Sequence, residues 1–138
     1  MKKNLIIPII LLLLSVFALS SCSKSFTFPV STLTPAADGE VILKKVKGSV
    51  YTFEVKVENL ASPSRLTPSK SHYIVWAEND QGEYQNLGSM ELSKKNVAKL
   101  EGALMYEPTY FFITAEDVIN ANWPGNQEIF RSERLRLK

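Results

Sequence analysis

Histidine and cysteine, the side chains that most often carry nucleophilic, acid–base or metal chemistry near neutral pH, occur once each, as His72 and Cys22. A serine–histidine–carboxylate triad draws its base from histidine, and His72 opens an apolar run in a chain without a Gly-x-Ser-x-Gly elbow. Zinc sites need clustered Cys and His ligands. Glycoside hydrolysis needs two converging carboxylates; Glu78 and Asp80 are the nearest such pair, and they flank a turn-forming Asn79-Asp80-Gln81-Gly82 stretch where acids solvate a loop. EF-hand and phosphate-binding glycine loops are missing. No catalytic residue, metal site or cofactor is expected, and the chain reads as a non-enzyme.

Cys22 stands at the end of a segment with its own grammar. Lys2 and Lys3 form a positive n-region, residues 5–19 an apolar h-region, and Ser20 and Ser21 supply the small residues of a cleavage point. A retained membrane span needs about 20 apolar residues in a row. This run is shorter, contains Pro8 and lacks a cationic stop, so a cleaved export signal over residues 1–21 is expected. Leu19-Ser20-Ser21-Cys22 resembles the lipobox of bacterial lipoproteins. That resemblance implies cleavage between Ser21 and Cys22 and lipidation of Cys22, with three acyl chains and the membrane as a partner through the anchor. Each buried methylene contributes about 0.8 kcal/mol, so several chains make a permanent tether. Ser23 at the second position, and no acidic run after Cys22, resemble the pattern of outer-membrane lipoproteins that face the periplasm.

Removing 21 of the 138 residues leaves 117, one domain's worth. Loss of Lys2 and Lys3 brings the 16 Lys and Arg down to 14, equal to the 14 Asp and Glu. A neutral domain gives no reason to invoke nucleic acid, which demands a clustered cationic surface. Arg131, Arg134, Arg136 and Lys138 are interleaved with Glu128 and Glu133 and read as a solvated strand face. Residues 22–39, rich in Ser, Thr, Pro and Ala, read as a lipidated cysteine with a flexible tether, with a short strand placed at most within residues 26–33.

The remainder, residues 40–138, has the period of strands. Tyr51, Phe53, Val55 and Val57 alternate with Thr52, Glu54, Lys56 and Glu58, the signature of a sheet with one buried face. Residues 41–47 precede them across Gly48 and Ser49, which predicts a hairpin. Residues 73–77 are apolar on both faces and read as a central strand, with Trp76 or Val75 toward the opposing sheet. Gly82 suits a left-handed position in the hairpin loop that follows, before residues 83–87 return. Residues 90–92, 97–100, 109–115 and 129–137 complete the set, and residues 117–122 are long enough for one helical turn before Pro124 and Gly125. Seven or eight short strands with frequent turns predict a single antiparallel Ig-like β-sandwich.

A resemblance supports that architecture. Asn59-Leu60, Leu66 with Pro68, His72-Tyr73-Ile74-Val75-Trp76-Ala77, Gly82, Asn86-Leu87-Gly88 and Phe112-Ile113-Thr114-Ala115-Glu116 with Pro124 resemble a pattern of Ig-like bacterial envelope lipoproteins without assigned function. Tyr73, Val75, Trp76 and Ala77, followed by Gly82 and Asn86-Leu87-Gly88, are also similar to the extracytoplasmic C-terminal domain of membrane anti-sigma factors. The likeness runs from about Glu40 to Leu135. It implies the fold and carries no catalytic residue over. No anti-sigma cytoplasmic module accompanies it, so it implies an accessory role and not direct regulation of a sigma factor.

Five residues are singled out for structural roles. Trp76 can bury about 200 Å², on the order of 5 kcal/mol, and is expected to pin the core. Asn86 and Gly88 are expected to form a turn in which Asn86 caps backbone groups and Gly88 takes a positive φ. Gly82 serves its hairpin. Glu116, at a strand end, is expected to accept hydrogen bonds from a neighbouring loop's amides. His72 reads as a strand-edge residue. The expected function is a lipid-anchored cell-envelope protein acting as a non-catalytic binding or structural module. It would present residues 61–71 and 120–127 to another envelope protein or a glycan; the alternative is an envelope sensing or regulatory accessory.

Overall fold

The computed structural model describes residues 22–137. The export signal at residues 1–21, including Ser21 of the cleavage point, and Lys138 of the basic cluster lie outside the described residues. Nine strands follow in order: β1 Ser23–Thr27, β2 Asp38–Lys47, β3 Val50–Glu58, β4 His72–Glu78, β5 Tyr84–Ser89, β6 Glu91–Leu92, β7 Ala98–Leu104, β8 Tyr110–Glu116 and β9 Glu128–Arg131. They form two antiparallel sheets of order β1-β2-β3-β7-β6 and β5-β4-β8-β9. The protein is an all-β sandwich. Taking β2, β3, β4, β6, β7, β8 and β9 as strands A to G gives A-B-E-D against C-F-G, the Ig order, with β5 added beside C and β1 outside A.

The alternation in β3 works as its period demands. Tyr51, Phe53, Val55 and Val57 are buried and face Val75, Phe111 and Ile113 of the other sheet in one core cluster. Phe53 and Phe111 meet across the sheets at 5.6 Å between ring centroids. The β2–β3 hairpin forms at Gly48 and Ser49, with a bulge between Lys45 and Lys47. Asn79 and Gly82 (φ +79°) make the β4–β5 turn, where the Asn79 Oδ1 accepts the amides of Gln81 and Glu83.

Three expectations are corrected. Residues 22–39 are not a free tether: β1 pairs with β2 from Ser23 opposite Lys44 to Thr27 opposite Glu40, and Phe28 packs on Phe130 at 5.3 Å. Pairing with the open edge of β2 satisfies the backbone, and the aromatic side chains bury the loop that follows. The sandwich therefore begins at residue 23. At the other end only Glu128–Arg131 is strand; residues 132–137 run on irregularly, held by the Ser132 and Leu135 amides on the carbonyls of Phe111 and Thr109. Residues 117–122 form no helix, since their polar groups are used to tie down a loop. Among the described residues the helical structure is one 3₁₀ turn, Pro63–Arg65.

The register assigns every loop to one of two poles. Cys22, the β2–β3 turn, residues 79–83, residues 105–109 and the C-terminal segment share one pole. Residues 28–37, 59–71, 93–97 and 117–127 share the opposite one.

Candidate functional site

β4 and β8 are buried on both faces, so each must cover its outward side chains with something other than the opposing sheet. Tyr73, Val75 and Ala77 point into the main core, while Ile74, Trp76 and Phe112 form a second buried cluster on the outer face. Trp76 therefore pins the outside of its sheet and not the inter-sheet core, although it is fully buried. Four strands contribute to a ladder of rings there. The Arg131 guanidinium lies 4.2 Å from the Phe112 ring centroid, Phe112 stacks on Trp76 at 6.0 Å and 8°, and Tyr84 meets Trp76 edge-on at 5.9 Å and 88°. Such geometries add to simple burial. Arg131 is oriented by Glu128 and Glu78, both at 2.9 Å, and hydrogen bonding to Glu128 first, then Glu78, holds its pKa above the ordinary value.

The loop at residues 117–127 covers this ladder. Ala121 packs on the outer cluster. The Trp76 Nε1 donates to the Thr114 hydroxyl at 2.9 Å; that hydroxyl donates to Glu116 Oε1 at 2.5 Å, and the Gly125 amide donates to the same oxygen at 2.6 Å. Glu116 thus accepts a loop amide, as its position at a strand end implies. Asn86 is the second clamp, its Nδ2 donating to the carbonyls of Ile119 at 3.1 Å and Ala121 at 3.0 Å. Its Oδ1 accepts the Gly88 amide at 2.9 Å. Asn86 and Gly88 do not form a turn. They stand at a β-bulge opposite Trp76 and Val75, where Gly88 adopts φ +124°, a conformation that side chains resist. The extra residue re-aims Asn86 toward the covering loop.

Trp76, Asn86, Gly88 and Glu116 are thus brought together, while Gly82 and Cys22 stand apart at the other pole. The sequence reading passed over Thr114 and Gly125. The signal for Thr114 was its spacing of two from both Phe112 and Glu116, which puts all three on one face of the strand. A Cβ on Gly125 would fall 2.8 Å from Glu116 Oε2 and 3.1 Å from Oε1. Gly125→Ala should accordingly displace the Glu116 carboxylate and lift the loop from Trp76. Acrylamide quenching in a Trp123→Phe background isolates Trp76, and quenching unchanged by Gly125→Ala would refute the clamp.

The covering loop is joined to its neighbour. Lys70 pairs with Asp117 at 2.9 Å, the Ser71 amide donates to the Glu116 carbonyl at 3.0 Å, and Gln127 Nε2 donates to the Pro68 carbonyl at 3.1 Å. The two loops singled out from the sequence therefore make one surface. Beside them opens a cleft of about 570 Å³ whose lining mixes serines (Ser62, Ser64, Ser69, Ser71, Ser89) and His72 with Pro63, Met90 and Leu92. Burial pushes the Tyr73 phenol, at the edge of that cleft, up to about 12, and its hydroxyl donates to the Ala61 carbonyl at 2.8 Å. It is a neutral strut and not a base. Trp123 is 72% exposed on the 117–127 loop, which also exposes Val118 and Ile119. An aromatic side chain between Asn122 and Pro124-Gly125, a turn-forming context, was the sequence signal for it.

Among the described residues no group of three or more His, Cys, Asp or Glu side chains is placed to hold a metal. No family model, curated protein or solved structure matches the chain.

Proposed function

We propose that this is a lipid-anchored envelope protein whose sandwich is a non-catalytic binding module, held by Cys22 at the periplasmic face of the outer membrane. The observation that carries this reading is polar placement. Cys22 directly precedes β1 at one pole, and the joined loops with Trp123 and the hydroxyl-lined cleft occupy the other. A membrane at Cys22 leaves that surface facing away from the bilayer. An exposed tryptophan on a loop that also exposes Val118 and Ile119 suits an aromatic anchor in contact with another envelope protein or a glycan.

Crosslinked affinity purification from envelopes tests the reading. Trp123→Ala should weaken capture roughly thirtyfold, the equivalent of about 2 kcal/mol for a lost aromatic hot spot. Equal recovery of the same partner by both chains would sink it. A captured partner that itself controls a sigma factor would turn the binding role into the sensing role that the anti-sigma likeness implies.

A further inference from the structure

The Cys22 pole is chemically lopsided. Lys44, Lys45 and Lys47 close β2 and are all exposed, with Val46 among them 56% exposed. Lys24, one strand away opposite Leu43, is half-buried and its Nζ donates to the Arg136 carbonyl at 3.3 Å. Met105, 75% exposed, joins them because Leu104 is paired with Tyr51 and Tyr51 with Lys45. A cleft of about 240 Å³ opens beside Cys22, with Leu43, Tyr51 and Leu137 as apolar lining and Lys24, Lys45 and Glu107 as its charges. Glu107 is engaged by the Tyr51 hydroxyl at 3.3 Å. Of the other acids, Glu54 and Glu101 line a cleft with Lys44 and Ser23 on the outer face of the β1–β2–β3–β7 sheet, while Asp80 and Glu83 lie on the β4–β5 hairpin of the other sheet and Glu133 in the C-terminal segment.

We propose that this pole seats on an anionic phospholipid surface, with Lys44, Lys45 and Lys47 against headgroup phosphates and Val46 and Met105 entering the interface. Distance decides whether these charges can matter. One extended residue spans at most about 3.6 Å, and Cys22 is one residue from paired β1. A bilayer holding Cys22 therefore lies well within the Debye length of about 8 Å at physiological salt, where basic residues near an anionic leaflet attract it. A free tether of 17 residues would have left them screened; the pairing of β1 removes that slack. Exposed Val46 and Met105 complement the lysines as interfacial apolar residues do. The orientation rests on Cys22 being the lipid anchor, while the basic pole itself does not.

The test uses the processed chain in nanodiscs of phosphatidylcholine, with or without phosphatidylglycerol, and amine-reactive footprinting read by mass spectrometry. Anionic discs should lower labelling of Lys44, Lys45 and Lys47 by about fivefold, and about 1 M salt, with a Debye length near 3 Å, should restore it. Lys94 and Lys95, on the opposite pole, serve as the unchanged reference. Equal labelling on both kinds of disc would overturn the proposal. Intact mass separates the two readings. If Cys22 carries no acyl chain, the anchor fails, and cosedimentation of that chain with vesicles of the same two compositions decides the basic pole alone. Salt-sensitive binding to the anionic vesicles, lost in Lys44→Glu/Lys45→Glu/Lys47→Glu, supports it; no difference between vesicles overturns it.

Discussion

Trp76→Ala lowers the unfolding free energy by about 3–5 kcal/mol, the range for truncating a buried aromatic side chain. Trp76 is fully buried and occupies the middle of the Arg131–Phe112–Trp76–Tyr84 ladder. Its loss removes the Phe112 stack and the Tyr84 edge contact and opens a cavity beneath residues 117–127. The polar share is smaller. Thr114 loses the indole donor, yet its own proton still goes to Glu116. Set against a total stability of about 5–15 kcal/mol, a loss of this size unfolds much of a marginal domain. Urea unfolding checks the prediction, with a lower midpoint at similar slope. A shift equivalent to less than about 1 kcal/mol, well below the cavity range, would show that the covering loop collapses onto the ladder and that the tryptophan pins nothing.

If Cys22 is the lipid anchor proposed above, Cys22→Ala should abolish lipid modification and leave the precursor uncleaved or mislocalised. The side chain is free and exposed, and it precedes the first strand. A surface substitution of this kind changes stability by about 0.5 kcal/mol at most, so a lost membrane association cannot be blamed on misfolding. On the proposed lipoprotein reading the membrane effect would be far larger, because each buried methylene contributes about 0.8 kcal/mol and two or three chains would go together. Metabolic labelling with a palmitate analogue reads the outcome, and label on the alanine chain would sink the lipoprotein assignment.

The alternation of Tyr51, Phe53, Val55 and Val57 determined β3 and its inward face, because a period of two on a half-buried strand carries both facts locally. Gly48 and Ser49, and Asn79 with Gly82, determined two hairpins for the same reason: the turn conformation is a property of those residues. The apolar run 73–77 showed that β4 is buried on both sides but not which side faces the second sheet. With both faces apolar the pattern has no sign, and only the pairing of β4 with β8 and the loop folded over them sent Val75 inward and Trp76 outward.

Asn86 and Gly88 show the division most sharply. Their local chemistry was legible, an Asn oxygen on an amide and a glycine at positive φ, yet register against β4 made the site a bulge and not a turn. Glu116 likewise announced a carboxylate for loop amides, and tertiary structure chose Gly125 from nine residues away in sequence. For residues 23–27 the sequence pattern is weak, and their strand exists because the edge of β2 offers unpaired backbone groups. Turn chemistry and one-face burial are written in neighbouring residues. Sheet order, the sign of a doubly buried strand, and the placement of Cys22 and Trp123 at opposite poles depend on pairings between distant segments, which no local pattern encodes.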